Sequence, residues 1–230
     1  MIERRKDYSK KTPSKEASKI YIVCEGKETE TNYFEFFQGL SSNLHLIIIP
    51  PENGKTDPLK LLEQAKKLFI GETRLYTLDY MQNDKIWFAI DTDSWEKEGK
   101  IQPLREFCAE QNESLKELDE RKPYEAWKVA QSNPCIETWL YYHFYDTPPQ
   151  EEEVLSHPSM KSYVDSKIAG GFNYQKDPVR IKDAIDNSER NFHRQENGNP
   201  DLFSTEEHFL AKEILGFVNS EITKLRNKMS

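Results

Sequence analysis

Residues 20–27, IYIVCEGK, form an apolar run that stops abruptly on Glu25, Gly26 and Lys27, and TETNYFEFFQ follows at 29–38. The run Ile20–Cys24 reads as a buried strand. Tyr33, Phe34, Phe36 and Phe37 read as the apolar face of a helix from about Thr29 to Gln38. A strand followed directly by a helix is the first half of a βαβ unit, and the reading of the fold depends on whether that cadence is repeated.

It is. LHLIII at 44–49 is a second strand closed by Pro50-Pro51, and Asp57-Pro58 is a capping residue followed by a first-turn proline. Leu59, Leu62, Ala65 and Leu68 then recur at helical spacing. KIWFAI at 85–90 is a third strand that stops on Asp91-Thr92-Asp93, residues 101–119 read as a charged helix, and Tyr124–Ala130 as a fourth strand. Asn133-Pro134 repeats the cap-and-proline signal before the aromatic helix CIETWLYYHFY. From about residue 155 only helical patterns remain, including 178–193 and 204–228, separated by the turn-like ENGNPD at 196–201. The expected architecture is an α/β domain over 19–150 with a mostly parallel sheet flanked by helices. A basic flexible arm is expected over 1–18, and a C-terminal helical extension over 151–230 packed on the same domain.

The chain has 230 residues and a net charge of −8, which is not the footprint of a protein that coats nucleic acid. The charge is uneven, because residues 1–19 hold seven Lys/Arg against three acids and leave the remainder at −12. A basic arm can touch phosphates or merely solubilise; an acidic body can gather carboxylates for Mg²⁺. Cys24, Cys108 and Cys135 are widely spaced with no C-x-x-C, which suits a reduced cytosol rather than a zinc ribbon or disulfide framework. No apolar stretch approaches a membrane span and no secretory h-region opens the chain, so a cytoplasmic location is expected.

Ligands of open α/β sheets sit at the carboxyl ends of the strands, and two acidic motifs lie at such ends here. Glu25 follows the first strand; Asp91 and Asp93 follow the third. On an extended segment the two aspartates point to one side, where they suit a divalent cation completed by water and phosphate. Glu25 can join them as a ligand or as a general acid or base, and Lys27 can balance charge on a phosphate. Acids also cluster at strand ends simply because loops begin there, so spacing alone leaves the bland and functional readings level.

VCEGKETETNYF, AIDTD and SNPCIETWLYYHF resemble the three signature blocks of the RloB family, restriction-linked and abortive-infection proteins with a fold related to the Toprim nuclease domain. The resemblance spans about residues 18–146, with a looser echo in NPDLFSTEEHFLAKEIL. It implies a Mg²⁺- or Mn²⁺-dependent nuclease acting on DNA or RNA (tRNA among the candidates) in defence against phage, beside an AAA-type ATPase. Carried over position by position, Glu25 matches the acid–base glutamate, Asp91 and Asp93 the metal pair, and Asn133 and Glu137 the third block. Thr31 departs from the family, where proline usually precedes Asn-Tyr-Phe.

Asn133 and Glu137 also have a purely structural reading, as helix cap and first-turn acid. His143 reads as a core histidine, and His45, His157, His193 and His208 show no metal-ligand spacing. Tyr174 and Lys176, in the GGFNYQKD loop after Gly170-Gly171, are the expected substrate contacts of the C-terminal part. Two rivals remain open. One is a D-x-D phosphatase with Asp91 as nucleophile, although that chemistry normally uses the first strand. The other is a non-catalytic regulatory or binding module.

Overall fold

The computed structural model describes residues 10–54, 56–116 and 124–229. Four strands, β1 (Ser18–Cys24), β2 (Leu44–Ile49), β3 (Lys85–Asp91) and β4 (Trp127–Ser132), lie in the order β2-β1-β3-β4, every neighbouring pair parallel. Parallel neighbours need crossovers, and these are the helices α1 (Thr29–Glu35), α2 (Pro58–Phe69) and α3 (Ile101–Lys116). The later helices are α4 (Glu137–Tyr141), α5 (Glu151–Leu155), α6 (Met160–Lys167), α7 (Ile181–Arg190) and α8 (Glu207–Met229). The molecule is thus an α/β fold with a parallel sheet flanked by helices and a long C-terminal helix.

Alternation along β1 divides the core. Ile20, Ile22 and Cys24 face the aromatics of α1, Trp139 of α4 and the apolar stripes of α7 and α8. Tyr21 and Val23 face α2 and α3, together with Ile86, Phe88 and Ile90 of β3. Because helices cover both faces, the strands read as nearly continuous apolar runs. Tyr141, Tyr142, Tyr163, Val164 and Phe203 form a third cluster at the helical end.

Several boundaries differ from the sequence reading for local reasons. The buried face of α2 uses Leu61, Leu62, Ala65 and Phe69, with Leu59 and Leu68 only half-buried. Asp57 caps it as expected, accepting from the amides of Leu59 (3.1 Å) and Lys60 (3.2 Å). Asp57→Ala is expected to cost about 1 kcal/mol, read as a lower denaturant midpoint with an unchanged slope. β4 begins at Trp127 rather than Tyr124 and runs on to Ser132. Asn133 does not cap the following helix. Its Nδ2 donates to the carbonyl of Pro200 (2.9 Å), and the Asn133–Pro134 bond is cis. The cap of α4 is Ile136, whose amide donates to Asp91 Oδ1 (2.8 Å), so β3 supplies the acceptor that sequence reasoning assigned to Asn133. Residues 1–9 of the expected arm lie outside the described residues; Lys11 and Ser14 bond to the backbone of Gly39 and Ser42 (2.7 and 2.8 Å).

Candidate functional site

Strand order reverses between β1, whose first crossover leads to β2 on one side, and β3 on the other. The carboxyl ends of β1 and β3 therefore flank the switch point where such sheets place ligands. Glu25 sits there, buried, with its amide donating to Ala89 (3.0 Å) on β3. Its carboxylate accepts from the amide of Asp91 at Oε2 (2.9 Å) and from Trp95 Nε1 at Oε1 (2.6 Å). Burial pushes its pKa up to about 8; those two hydrogen bonds hold it down, and the charges of Glu30 and Asp93 push it further up.

Asp91 ends β3 opposite Ser132 and spends Oδ1 on the Ile136 amide. Its pKa is raised well above the carboxylate range, first by burial and then by Glu30, Glu25, Asp93 and Glu137. Asp93 is reached differently from the expectation of an extended Asp-x-Asp. Its φ of 33° is left-handed, while the amides of Thr92 and Asp93 both donate to the carbonyl of Pro134 (3.0 and 3.1 Å). The turn keeps Asp93 exposed yet inside the same electrostatic cluster, its pKa raised by partial loss of hydration and by Glu137. Glu137, in the first turn of α4, is buried beside them.

A fifth acid was absent from the sequence reading. Glu30 in α1 is buried and accepts the Gly26 amide at Oε1 (3.0 Å), its pKa raised by burial and by Glu137. This contact explains Gly26, because a Cβ there would lie 2.0 Å from Glu30 Oε2. Gly26→Ala must expel the Glu30 carboxylate from the Gly26 amide. A loss of about 1–3 kcal/mol is expected, visible as a lower melting temperature, and Glu30→Ala should relieve the clash when combined with it. Trp95 and Glu207 were also missed. Glu207 is buried at the start of α8 with Oε2 unpartnered, its pKa raised well above the usual range by burial, Glu30 and Glu206. In the sequence each looks like an ordinary loop or first-turn residue, with no periodic signal to mark it.

None of Glu25, Glu30, Asp91, Asp93 and Glu137 forms an ion pair among the described residues. Negative charge concentrated this way without a basic partner suits a hard divalent cation in the kind of its donors. Oxygens that accept none of these hydrogen bonds remain on Asp91, Asp93, Glu137 and Glu30, whereas both oxygens of Glu25 accept one. Among the described residues no three His, Cys, Asp or Glu side chains already stand in a metal-holding arrangement, so a shared ion requires side chains to turn toward it.

The other expected contacts separate. Lys27 is exposed beside Glu25. Asn133 is buried and committed to Pro200, so its amide nitrogen faces the chain itself. Tyr174 is half-buried and adjoins the cluster: its pKa is raised by burial, lowered by a hydrogen bond with Thr29, and raised again by Glu137, Asp165 and Glu30. Lys176 does not line the cavity of Tyr174 but another one, with Arg180. His143 is core, its ring between Tyr33 Oη (3.2 Å) and the Trp139 carbonyl (3.0 Å), and burial drops its pKa to about 3. No helix among the described residues is long and apolar enough to cross a membrane.

No curated protein and no solved structure matches the chain. The family model described as RloB-like protein matches residues 20–214, which contain all of the sheet but the first two residues of β1, all five clustered acids and most of the helical part. The chain belongs to the RloB-like family.

Proposed function

We propose that the protein is a Mg²⁺-dependent nuclease, hydrolysing phosphodiester bonds of DNA or RNA through the acids at the β1–β3 switch point. The observation that carries this reading is the cluster of five carboxylates, drawn from four elements and their flanking turns, in which Glu25, Glu30, Asp91 and Asp93 have their proton affinity raised by burial and by neighbouring acids, and none forms an ion pair among the described residues. Structural acids at a strand end rarely accept such a cost, whereas sites built for chemistry do. Asp91, Asp93 and Glu137 would hold the cation, which when bound supplies electrostatic stabilisation of charge on the phosphate oxygens.

Glu25, with a pKa of about 8, carries a proton at neutral pH and can deliver it to a leaving oxygen; once ionised it can accept one from water. Trp95 and the Asp91 amide fix the direction of that carboxyl group. Lys27 is placed to meet a phosphate as it arrives. By its family, the natural setting is antiphage defence with an AAA-type ATPase as partner, in the cytoplasm. A non-catalytic binding module is the second reading, favoured by the full engagement of both Glu25 oxygens.

Cleavage assays on single-stranded DNA, duplex DNA and tRNA, with Mg²⁺ or Mn²⁺ and with and without the ATPase, separate the two. Glu25→Gln should lower cleavage on the order of 10²–10⁴-fold, the usual worth of a proton-transfer group. Nucleic-acid binding without cleavage under every condition supports the module and ends the hydrolytic reading.

A further inference from the structure

We infer that the cavity between α1 and the 170–175 loop is a subsite for an unpaired nucleobase. The substrate of the carboxylate site is then single-stranded nucleic acid, an inference that deepens the hydrolytic reading and rests on it. The cavity is about 540 Å³, within the roughly 300–1,000 Å³ typical of small-ligand sites. Its aromatic wall is Phe172 and Tyr174, whose ring centres are 5.3 Å apart and tilted by 60°. Phe172 is fixed from behind by His143 (5.1 Å) and Tyr33 (6.2 Å). Asn32 and Glu35 of α1 line the cavity, and the same helix carries Glu30 two residues before Asn32, so the cavity adjoins the carboxylates; Tyr174 also feels the charges of Glu137 and Glu30.

The polar lining has the chemistry of base edges. Asn32 and Gln175 are exposed amides that offer both donors and acceptors, and Glu35 is an exposed acceptor suited to an exocyclic amine. A concave site combining ring faces with amide edges is of no use to a duplex, whose base faces are stacked and whose pairing edges are occupied. An unstacked base uses both.

The same loop carries the charge a strand's backbone needs. A second cavity, of about 500 Å³, is lined by Lys167, Lys176, Arg180 and Arg226 with a single acid, Asp177. Lys167 pairs with Glu153 and Arg226 with Asp183, while neither Lys176 nor Arg180 is in an ion pair among the described residues. Arg180 is held over the Phe144 ring at 4.8 Å. In a chain of net charge −8, a cluster of cationic side chains thus begins one residue from the aromatic and amide wall, at Lys176 beside Gln175.

The test is fluorescence anisotropy on the Asp91→Asn chain in EDTA, with labelled single-stranded DNA, the same sequence as RNA, the corresponding duplexes and a mononucleotide. Single strands of either sugar should bind at least about tenfold tighter than duplex or mononucleotide. Tyr174→Ala should weaken single-strand binding on the order of tenfold, and Tyr174→Phe should preserve it. Asn32→Ala with Gln175→Ala, both at exposed positions, should weaken it as well, and Lys176→Ala should reduce the salt slope by about one. Equal affinity for duplex, mononucleotide binding as tight as the strand, or an unchanged Asn32/Gln175 double variant overturns the subsite. Cleavage of duplex that these variants leave untouched sinks the subsite while hydrolysis survives. Binding of single strands through these residues without cleavage by the parent sinks hydrolysis while the subsite survives.

Discussion

Asp91→Asn should make the protein more stable and its site inert. The Asp91 carboxylate is buried among four other acids, and its one fixed hydrogen bond, from the Ile136 amide, needs only a carbonyl oxygen. Asparagine keeps that oxygen and replaces the other by an amide that can donate to the neighbouring carboxylates. Removing a carboxyl group whose ionisation is opposed by burial and by like charges should therefore raise stability by about 2 kcal/mol near pH 8, or about 4–8 °C for a chain of this size. Cleavage should fall by more than the roughly 10–100-fold that loss of an outer ligand partner costs. Differential scanning fluorimetry tests the first half. Millimolar Mg²⁺ should raise the parent's melting temperature and leave the variant's nearly unmoved, by linkage of binding to folding. A variant that melts below the parent would mean that the Asp91 charge is compensated by something other than a cation.

Glu25 gives the same cluster a pH signature. Its folded pKa of about 8 lies above the ordinary 4.5, so between those values the folded state holds a proton that the unfolded state has released. This contribution is fully present below about pH 4.5 and is lost as pH rises toward 8. It amounts to several kcal/mol at about 1.4 kcal/mol for each tenfold change in proton affinity. The metal-free protein should accordingly lose stability from mildly acid to mildly alkaline pH, and Asp93→Asn should flatten that slope by relieving one of the two charges, Glu30 and Asp93, that help to hold the Glu25 proton.

The parallel sheet was legible because both of its faces are covered, which leaves unbroken apolar runs such as IYIVC and KIWFAI that end where charge begins. Glu25 and Asp91 were legible for the same reason: each is the first acid at the end of such a run. Glu30 was not, since an acid in the first turn of a helix normally faces water, and only the close approach of Gly26 to α1 turns it inward. Asn133 misled because asparagine before proline imitates a cap. The competing partner, the Pro200 carbonyl, is 67 positions away and has no local signal. Glu207 opens a helix whose start was placed three residues early, and its burial depends on α8 packing across the sheet.

Glu206→Gln should be among the most destabilising conservative changes in the molecule. Glu206 is almost wholly buried, pairs with Arg105 at Oε2 and with Arg194 at Oε1 (both 2.6 Å), and accepts the Gln131 amide (3.1 Å). Its own amide donates to the Gln131 carbonyl (2.8 Å), so the start of α8 is stitched to β4 through one residue. A glutamine there leaves two guanidinium groups without a countercharge and sets an N–H against one of them. Breaking a buried pair costs about 3–5 kcal/mol; partial exposure of both arginines places this case near the lower end, or about 6–12 °C. The loss should persist in high salt, because the Glu206 carboxylate is buried away from mobile ions, unlike Glu189 in the exposed Lys212–Glu189 bridge. The effect should also reach the site. Gln131 accepts from Arg105 (2.7 Å) and donates to Thr92 Oγ1 (2.8 Å), the residue between Asp91 and Asp93. Cleavage should therefore fall in Glu206→Gln even at temperatures where the variant is fully folded. A melting temperature within about 2 °C of the parent would show that the arginines find other partners and that α8 is held by its apolar face alone.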